Sequence, residues 1–187
     1  APAFAALSDW LESGARTLLD GDTLAMLRDR ADAYRAARLV SLELQLPGPT
    51  GEDNALRFVP RGTVAGVAET TAAWVHQLLA ALACDNRVVL PDLKPTRALH
   101  EALPQPVRER MALVDDLRDA SWDVLLFDGE AEEADAWRRV LASRAGPIVP
   151  LLAADPLYDL IMLVHERTLS VNTAAAGGNA SLMAMSG

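Results

Sequence analysis

The sequence has 187 residues, of which 51% are hydrophobic and 23% are charged. This length and composition are typical of one folded domain with an apolar core, and they exclude an intrinsically disordered tail. Twenty-six acidic side chains against seventeen basic ones give a formal net charge of -9, which argues against a nucleic-acid partner because phosphate backbones bind basic surfaces.

The first 38 residues have helical periodicity. Apolar residues recur at three- and four-residue spacings and predict amphipathic helices over 4–19 and 23–38. Thr23 is the predicted N-cap of the second helix, since its hydroxyl can accept a hydrogen bond from the first turn. We interpret residues 1–38 as a helical lead-in.

Residues 39–60 change to the periodicity of β-strands. Apolar and polar residues alternate over 41–46, stop at a turn rich in Pro and Gly, and an apolar run resumes over 55–59. The alternation predicts that one face of this strand pair is buried and that the other faces water or a partner.

Residues 61–165 alternate between strand and helix patterns, which is typical of a parallel sheet covered by helices, and this predicts an α/β fold. The predicted strands are 63–68, 87–90, 112–114, 123–127 and 148–152, and the predicted helices are 71–83, 96–103, 130–143 and 156–165. We interpret 166–187 as a last strand, 168–172, followed by a tail rich in Ala and Gly.

Three kinds of residue in the sequence could carry chemistry: histidines, clustered carboxylates and one cysteine. His76, His100 and His165 lie in predicted helices with no nucleophile elbow near them, so they do not predict a hydrolytic triad. The acidic run at 130–135 is interpreted as a solvated helix start rather than a metal site. Cys84 lies in an apolar helical pattern and is interpreted as a buried, inert thiol. The residues therefore predict no catalytic, cofactor-binding or metal-binding site.

A single cysteine cannot form an internal disulfide, so we expect a reducing compartment, the cytoplasm. The sequence has no apolar run of the roughly 20 residues that a membrane span needs.

Two stretches resemble the aldehyde dehydrogenases. Residues 61–68, followed by Trp74 and 78–90, resemble the start of the NAD-binding domain of that family, and 122–129 resembles the strand and turn that precede the cofactor pyrophosphate. The resemblance implies a Rossmann-like parallel sheet over residues 61–165.

The departures from that family are at functional positions. Pro91 stands where the resemblance implies a Lys that contacts the adenosine ribose, and 69–72 replaces the segment that supplies an oxyanion-hole Asn. The acidic residues 130–133 replace a phosphate-tolerant turn. The segment with the nucleophilic Cys has no counterpart, so the resemblance implies a domain without catalytic residues.

The tail carries a second resemblance. Residues 166–183, together with 46–52 and 60–62, resemble the C-terminal region of long proline utilization A (PutA) proteins. In that family a proline dehydrogenase barrel with FAD passes its product to an NAD-dependent glutamate-semialdehyde dehydrogenase, and a non-catalytic C-terminal domain covers the channel between them. The resemblance implies that this chain is such a domain, that FAD and NAD belong to its parent oxidoreductase, and that Ala1 is an internal boundary of that parent.

The resemblance also implies partners. Strands near 41–46, 55–59 and 168–172 resemble the protruding β-flap by which aldehyde dehydrogenases contact a neighbour. The expected partners are the aldehyde dehydrogenase and proline dehydrogenase domains of the same polypeptide, together with a homo-oligomer formed through the flap. Four residues are predicted to dock and seal the tunnel, because glycines allow close backbone approach and amides can satisfy main-chain groups. These are Asn172, Gly177, Gly178 and Asn179.

Two other hypotheses stay open. The chain could be a degenerate aldehyde dehydrogenase domain that still binds NAD, or a stand-alone module that binds an unrelated dehydrogenase through its flap.

Overall fold

The computed structural model describes residues 2–49 and 51–172. The helices are α1 (Pro2–Ser13), α2 (Gly21–Ala36), α3 (Thr71–Ala83), α4 (Lys94–Ala102), α5 (Gln105–Arg108) and α6 (Ala131–Ser143). The strands are β1 (Glu43–Leu46), β2 (Glu52–Pro60), β3 (Thr63–Val67), β4 (Arg87–Pro91), β5 (Met111–Val114), β6 (Val124–Phe127), β7 (Leu151–Ala153) and β8 (Val164–Asn172). Short 3₁₀ helices span Ala15–Thr17 and Leu160–Leu163.

Five strands form a parallel sheet in the order β5-β4-β3-β6-β7. The chain starts at the central strand β3, proceeds outward to β5, and then returns to place β6 on the other side of β3. Doubly wound sheets have this reversal, and the loops that leave the two central strands diverge there. The predicted α/β fold class is confirmed.

The larger core lies on the face of the sheet that α3 covers. Every side chain of α3 from residue 73 to residue 83 is buried, because the helix is enclosed between the sheet and the pair α1 and α2. Leu7 and Leu11 of α1 and Leu27 of α2 are fully buried in the same apolar cluster as Leu78 of α3. The two N-terminal helices are therefore an integral layer of the core.

The opposite face of the sheet has a thinner cover, formed by α6 and the loop 115–123. Trp122 and Trp137 meet edge to face, with ring centroids 6.5 Å apart, and Trp122 donates its indole N–H to the carbonyl of Leu117 at 2.7 Å. Of the residues of α6, only Ala134 is fully buried. The two tryptophans belong to a second, smaller apolar cluster on this face.

A separate antiparallel sheet has the order β1-β2-β8, and we call these three strands the flap. Leu44 lies opposite Leu56, and Leu56 lies opposite Thr168. The predicted strand pair and its third strand are confirmed. The predicted buried face is wrong: all four residues of β1 are exposed, and Ala55 is the only fully buried residue of β2. Alternation in sequence does not distinguish a core face from an exposed one.

The first two helices differ from their predicted bounds. α1 ends at Ser13, and a Cβ on the next residue, Gly14, would be 2.6 Å from Cδ1 of Trp10, so the close approach of this ring requires glycine there. α2 begins after Asp20, whose carboxylate accepts the backbone N–H of Thr23 at 2.8 Å. Asp20, and not Thr23, is therefore the N-cap, since an aspartate one turn earlier is a better acceptor.

The last predicted helix, 156–165, is wrong. Only the 3₁₀ helix Leu160–Leu163 forms there, and Val164 already pairs with Pro60 of β2. His165 consequently lies in a strand and not in a helix. Pairing with the long strand β2 satisfies the backbone of this segment, and its local helical pattern is overridden.

Candidate functional site

In doubly wound sheets, ligands bind at the carboxyl ends of the central strands. In this chain, buried side chains form hydrogen bonds with the backbone at the carboxyl ends of β3 and β6. Gln77 of α3 donates to the carbonyls of Val67 at 2.8 Å and Leu126 at 3.2 Å. The hydroxyl of Tyr158 donates to the carbonyl of Phe127 at 3.2 Å. A Cβ on Gly66 would stand 2.5 Å from Oε1 of Gln77, so the close approach of Gln77 requires glycine at that position.

His76 extends this buried polar network to α2. Its Nε2 is 2.7 Å from the hydroxyl of Tyr34, its Nδ1 is 3.0 Å from Nη1 of Arg30, and the Tyr34 hydroxyl accepts the backbone N–H of Tyr158 at 2.9 Å. Because a guanidinium can only donate, Nδ1 is the acceptor and Nε2 carries the proton, which it donates to Tyr34. Burial, and secondarily the charge of Arg30, lowers the pKa of His76 to about 3. Both ring nitrogens are engaged, so His76 acts as a packing residue.

The other residues considered for chemistry are not brought together. His76, His100 and His165 lie on α3, α4 and β8. Cys84 is fully buried, and its thiol contacts the carbonyl of Leu160 at 3.7 Å. Burial raises the pKa of this thiol to about 12, so it is protonated and weakly nucleophilic at neutral pH. Among residues 2–49 and 51–172, no group of three His, Cys, Asp or Glu side chains could hold a metal ion.

A recess of about 400 Å³ lies at the carboxyl ends of β6 and β7, and Asp128, Gly129 and Arg138 are among the residues that line it. It corresponds to the position at which a dinucleotide pyrophosphate would approach α6. The carboxylate of Glu133 would be 3.0 Å from a Cβ on Gly129, and Arg138 is paired with Asp135 at 2.6 Å. Phosphate oxygens need hydrogen-bond donors, whereas carboxylates are negatively charged acceptors. The residues of this recess therefore do not fit the pyrophosphate of NAD.

The flap exposes apolar side chains on both faces. The register places Leu44, Leu46 and Leu56 on one face, which we call the leucine face, and Leu44 is 42% exposed. Leu169 and Val171 are exposed on the other face, at 46% and 45%. The outer edges of β1 and β8 pair with no strand of the described chain. A sheet of this kind can accept a further strand or bury a face against a partner.

One of the four predicted docking residues lies within the described chain. Asn172 is the last residue of β8, opposite Glu52 of β2. The other three, Gly177, Gly178 and Asn179, lie outside the described residues.

The network at the strand ends has one signal in the sequence. Two polar residues, His76 and Gln77, interrupt an otherwise apolar helix, and that interruption could have predicted buried hydrogen-bond partners. No local pattern indicates that Tyr34 and Tyr158 supply them, because these residues are 42 and 81 positions away from His76 and Gln77 respectively.

The comparisons with known proteins agree on one group of relatives. No family model matches the sequence. The Bifunctional protein PutA of Rhizobium meliloti is 36% identical over 176 residues, which are 89% of this chain and 14% of that protein. The Bifunctional protein PutA of Escherichia coli (strain K12) is 40% identical over 143 residues, which are 74% of this chain and 11% of that protein. The chain thus spans a small part of the relatives that it matches.

Solved structures give the same result. A Proline Utilization A (PutA) variant of Bradyrhizobium japonicum matches with a TM-score of 0.61 and 30% identity, over 81% of this chain and 19% of that one. Staphylococcus aureus AldH matches with a TM-score of 0.57 and 12% identity, over 81% of this chain and 40% of that one. The second match concerns the fold alone, and it confirms the expected resemblance to the aldehyde dehydrogenase fold.

Proposed function

The chain is homologous to part of the bifunctional PutA proteins, and on that premise we propose that it is a non-catalytic structural domain of a proline-catabolic oxidoreductase. In this proposal it covers the channel through which the product of proline oxidation reaches the aldehyde dehydrogenase site. It also supports that site and contributes to contacts between copies of the enzyme.

The exposed flap is the observation that carries the proposal. Leu44, Leu46 and Leu169 are each more than a third exposed, and both outer edges of the flap are open to a further strand. Surfaces of this kind favour association, because burying apolar side chains and pairing a free edge both lower the free energy. In a segment that forms a small part of a long chain, the nearest partners are the other domains of that chain.

The strand ends support a role without catalysis. Gln77 and Tyr158 tie together the positions at which a Rossmann-like sheet would bind its ligand. His76 has no free ring nitrogen, and the thiol of Cys84 is protonated. In this proposal FAD and NAD are bound by other parts of the parent enzyme, and the reactions take place there.

We assign the docking as follows. The flap lies against the aldehyde dehydrogenase and proline dehydrogenase domains of the same cytoplasmic polypeptide, and it also contributes to a homo-oligomer. The tail that continues from β8 seals the tunnel through four residues. These are Asn172, Gly177, Gly178 and Asn179.

The first experiment is an immunoblot of source cells with an antibody raised against this chain. The proposal expects a band far above the 20.0 kDa of the chain, since the segment would be part of a long enzyme. A band near 20 kDa would contradict the proposal and leave a stand-alone binding module.

The second experiment uses the parent enzyme and follows NADH formation from proline. Charging the leucine face with Leu44→Glu and Leu46→Glu should lengthen the lag before NADH appears, because the intermediate escapes from an uncovered channel. Leu93→Glu is the matched control, since Leu93 is 47% exposed at the start of α4, outside the flap. A bulky residue at Gly178 should lower semialdehyde oxidation. If the flap and tail variants all behave like Leu93→Glu, the channel-covering role is wrong.

A further inference from the structure

A second recess lies at the amino-terminal edge of the parallel sheet, where the flap joins it. Its volume is about 330 Å³, and the side chains of Arg61, Arg144, His165, Trp122 and Asp123 are among those that line it. We call it the arginine recess. It is at the opposite edge of the sheet from the strand ends described above, and no step of the proposed function uses it.

Arg144 is held in place on the wall of this recess. Its guanidinium carbon lies 4.2 Å from the centroid of the Trp122 ring, in a cation–π contact. Its Nη2 donates to the carbonyl of Ala120 at 3.1 Å. None of the ion pairs formed within the described chain includes Arg144. The position of the group is therefore fixed, while its charge is not neutralised by a carboxylate.

Arg61 lines the recess from the flap side and is held by a hydrogen bond. Its Nη1 donates to the carbonyl of Met162 at 3.1 Å, and it too takes part in none of the ion pairs of the described residues. His165 adds an exposed imidazole from β8. Asp123 is the one carboxylate among the described residues that line the recess, and its Oδ2 accepts the backbone N–H of Thr63 at 2.8 Å.

The recess thus concentrates positive charge in a chain whose formal net charge is -9. Two arginines line it, together with one carboxylate that is already hydrogen-bonded to the backbone. Positioned guanidiniums bind carboxylate and phosphate oxygens well, because they present several donors in a fixed plane. The volume is at the lower end of the range for small-molecule sites. We infer that the arginine recess binds a small oxyanion, whose binding group is a carboxylate or a phosphate.

The test is a titration of the 187-residue chain at constant ionic strength, with inorganic phosphate in one series and succinate in the other. The readout is the NMR signal of the Trp122 indole N–H, because the ring of this residue contacts Arg144 directly. We expect a saturable shift with at least one of the two anions, and the arm that saturates at lower concentration identifies the preferred group. The absence of a saturable shift in both arms would overturn the inference.

Variants locate the site. Arg61→Gln and Arg144→Gln should each weaken binding about tenfold, the loss expected for a hydrogen bond to a charged group. His165→Gln alters an exposed residue that lines the recess, and it should also weaken binding. The matched control is Arg97→Gln, which removes an exposed guanidinium that pairs with Asp92 and does not line the arginine recess, and which should leave the dissociation constant unchanged. Equal weakening by Arg97→Gln would show that net charge, and not the recess, attracts the anion, and would overturn the inference.

Discussion

At the scale of single residues, the buried network around His76 determines how α2 packs on α3. The imidazole accepts from Arg30 and donates to Tyr34, so only the neutral form with the proton on Nε2 satisfies both contacts. Protonation would place a second positive charge next to Arg30 in a buried site. The network is therefore sensitive to pH through one group, the imidazole of His76.

This sensitivity gives a prediction about stability. The pKa of His76 is about 3 in the folded chain against 6.5 in the unfolded one. The unfolded state therefore binds the extra proton between these values, and stability falls as the pH decreases below 6.5. Between pH 7.5 and 5.5 the free energy of unfolding should decrease by about 1 kcal/mol through this group. Urea denaturation of the wild type and of His76→Gln measures it. If the free energy of unfolding depends on pH equally in the two proteins, the lowered pKa of His76 is contradicted.

Cys84 gives a second prediction at this scale. The thiol is fully buried and its pKa is raised to about 12, so a thiol reagent such as DTNB should react with it only when the chain unfolds. The rate should increase steeply with urea through the unfolding transition. A control with Ser143→Cys in a Cys84→Ala background places a thiol on the exposed end of α6 and should react at once. A native-state rate for Cys84 equal to that of the control would refute burial.

At the scale of elements, sequence patterns predicted best where local and tertiary preferences agree. Helix α3 was predicted with its observed bounds, Thr71–Ala83, because an apolar run that follows an N-cap residue, Thr70, matches its buried environment. The predicted helix 156–165 does not form, because the pairing of β8 with β2 overrides a weak local helical pattern. The exposure of the flap could not be predicted either, since alternation specifies two faces and not what covers them.

The flap predicts self-association of the isolated chain. Its leucine face is exposed and its outer edges are open, and such surfaces pair with a second copy when no other partner is present. Sedimentation velocity should show a concentration-dependent increase in mass. Leu44→Glu with Leu46→Glu should keep the chain monomeric, because a charge cannot be buried there without a partner. Leu93→Glu should behave as the wild type. A wild-type chain that stays monomeric at every concentration would contradict the expected homo-oligomer.

At the scale of the molecule, two regions of opposite character share one chain. The parallel sheet and helices α1 to α3 form a continuous core, in which the side chains of Tyr34, His76 and Tyr158 form buried hydrogen bonds. The flap has exposed apolar groups and open edges. The motifs of the tail indicate the PutA relatives, and the alternation of strand and helix patterns predicts the parallel sheet. The arginine recess and the partners of His76 and Gln77 could not be predicted, because each assembles residues that are far apart in sequence.

This contrast predicts that the same substitution has different effects in the two regions. Leu27 of α2 is fully buried, whereas Leu44 of β1 is 42% exposed. Leu27→Ala should destabilise the chain by about 2–5 kcal/mol, since it leaves a cavity between α2 and α3. Leu44→Ala should change stability by about 0.5 kcal/mol or less, as surface substitutions do. Because α1 and α2 belong to the main core, Leu27→Ala should shift the whole urea transition, followed by both circular dichroism and tryptophan fluorescence. A separate early transition that leaves the rest of the chain folded would show instead that the two N-terminal helices are an independent unit.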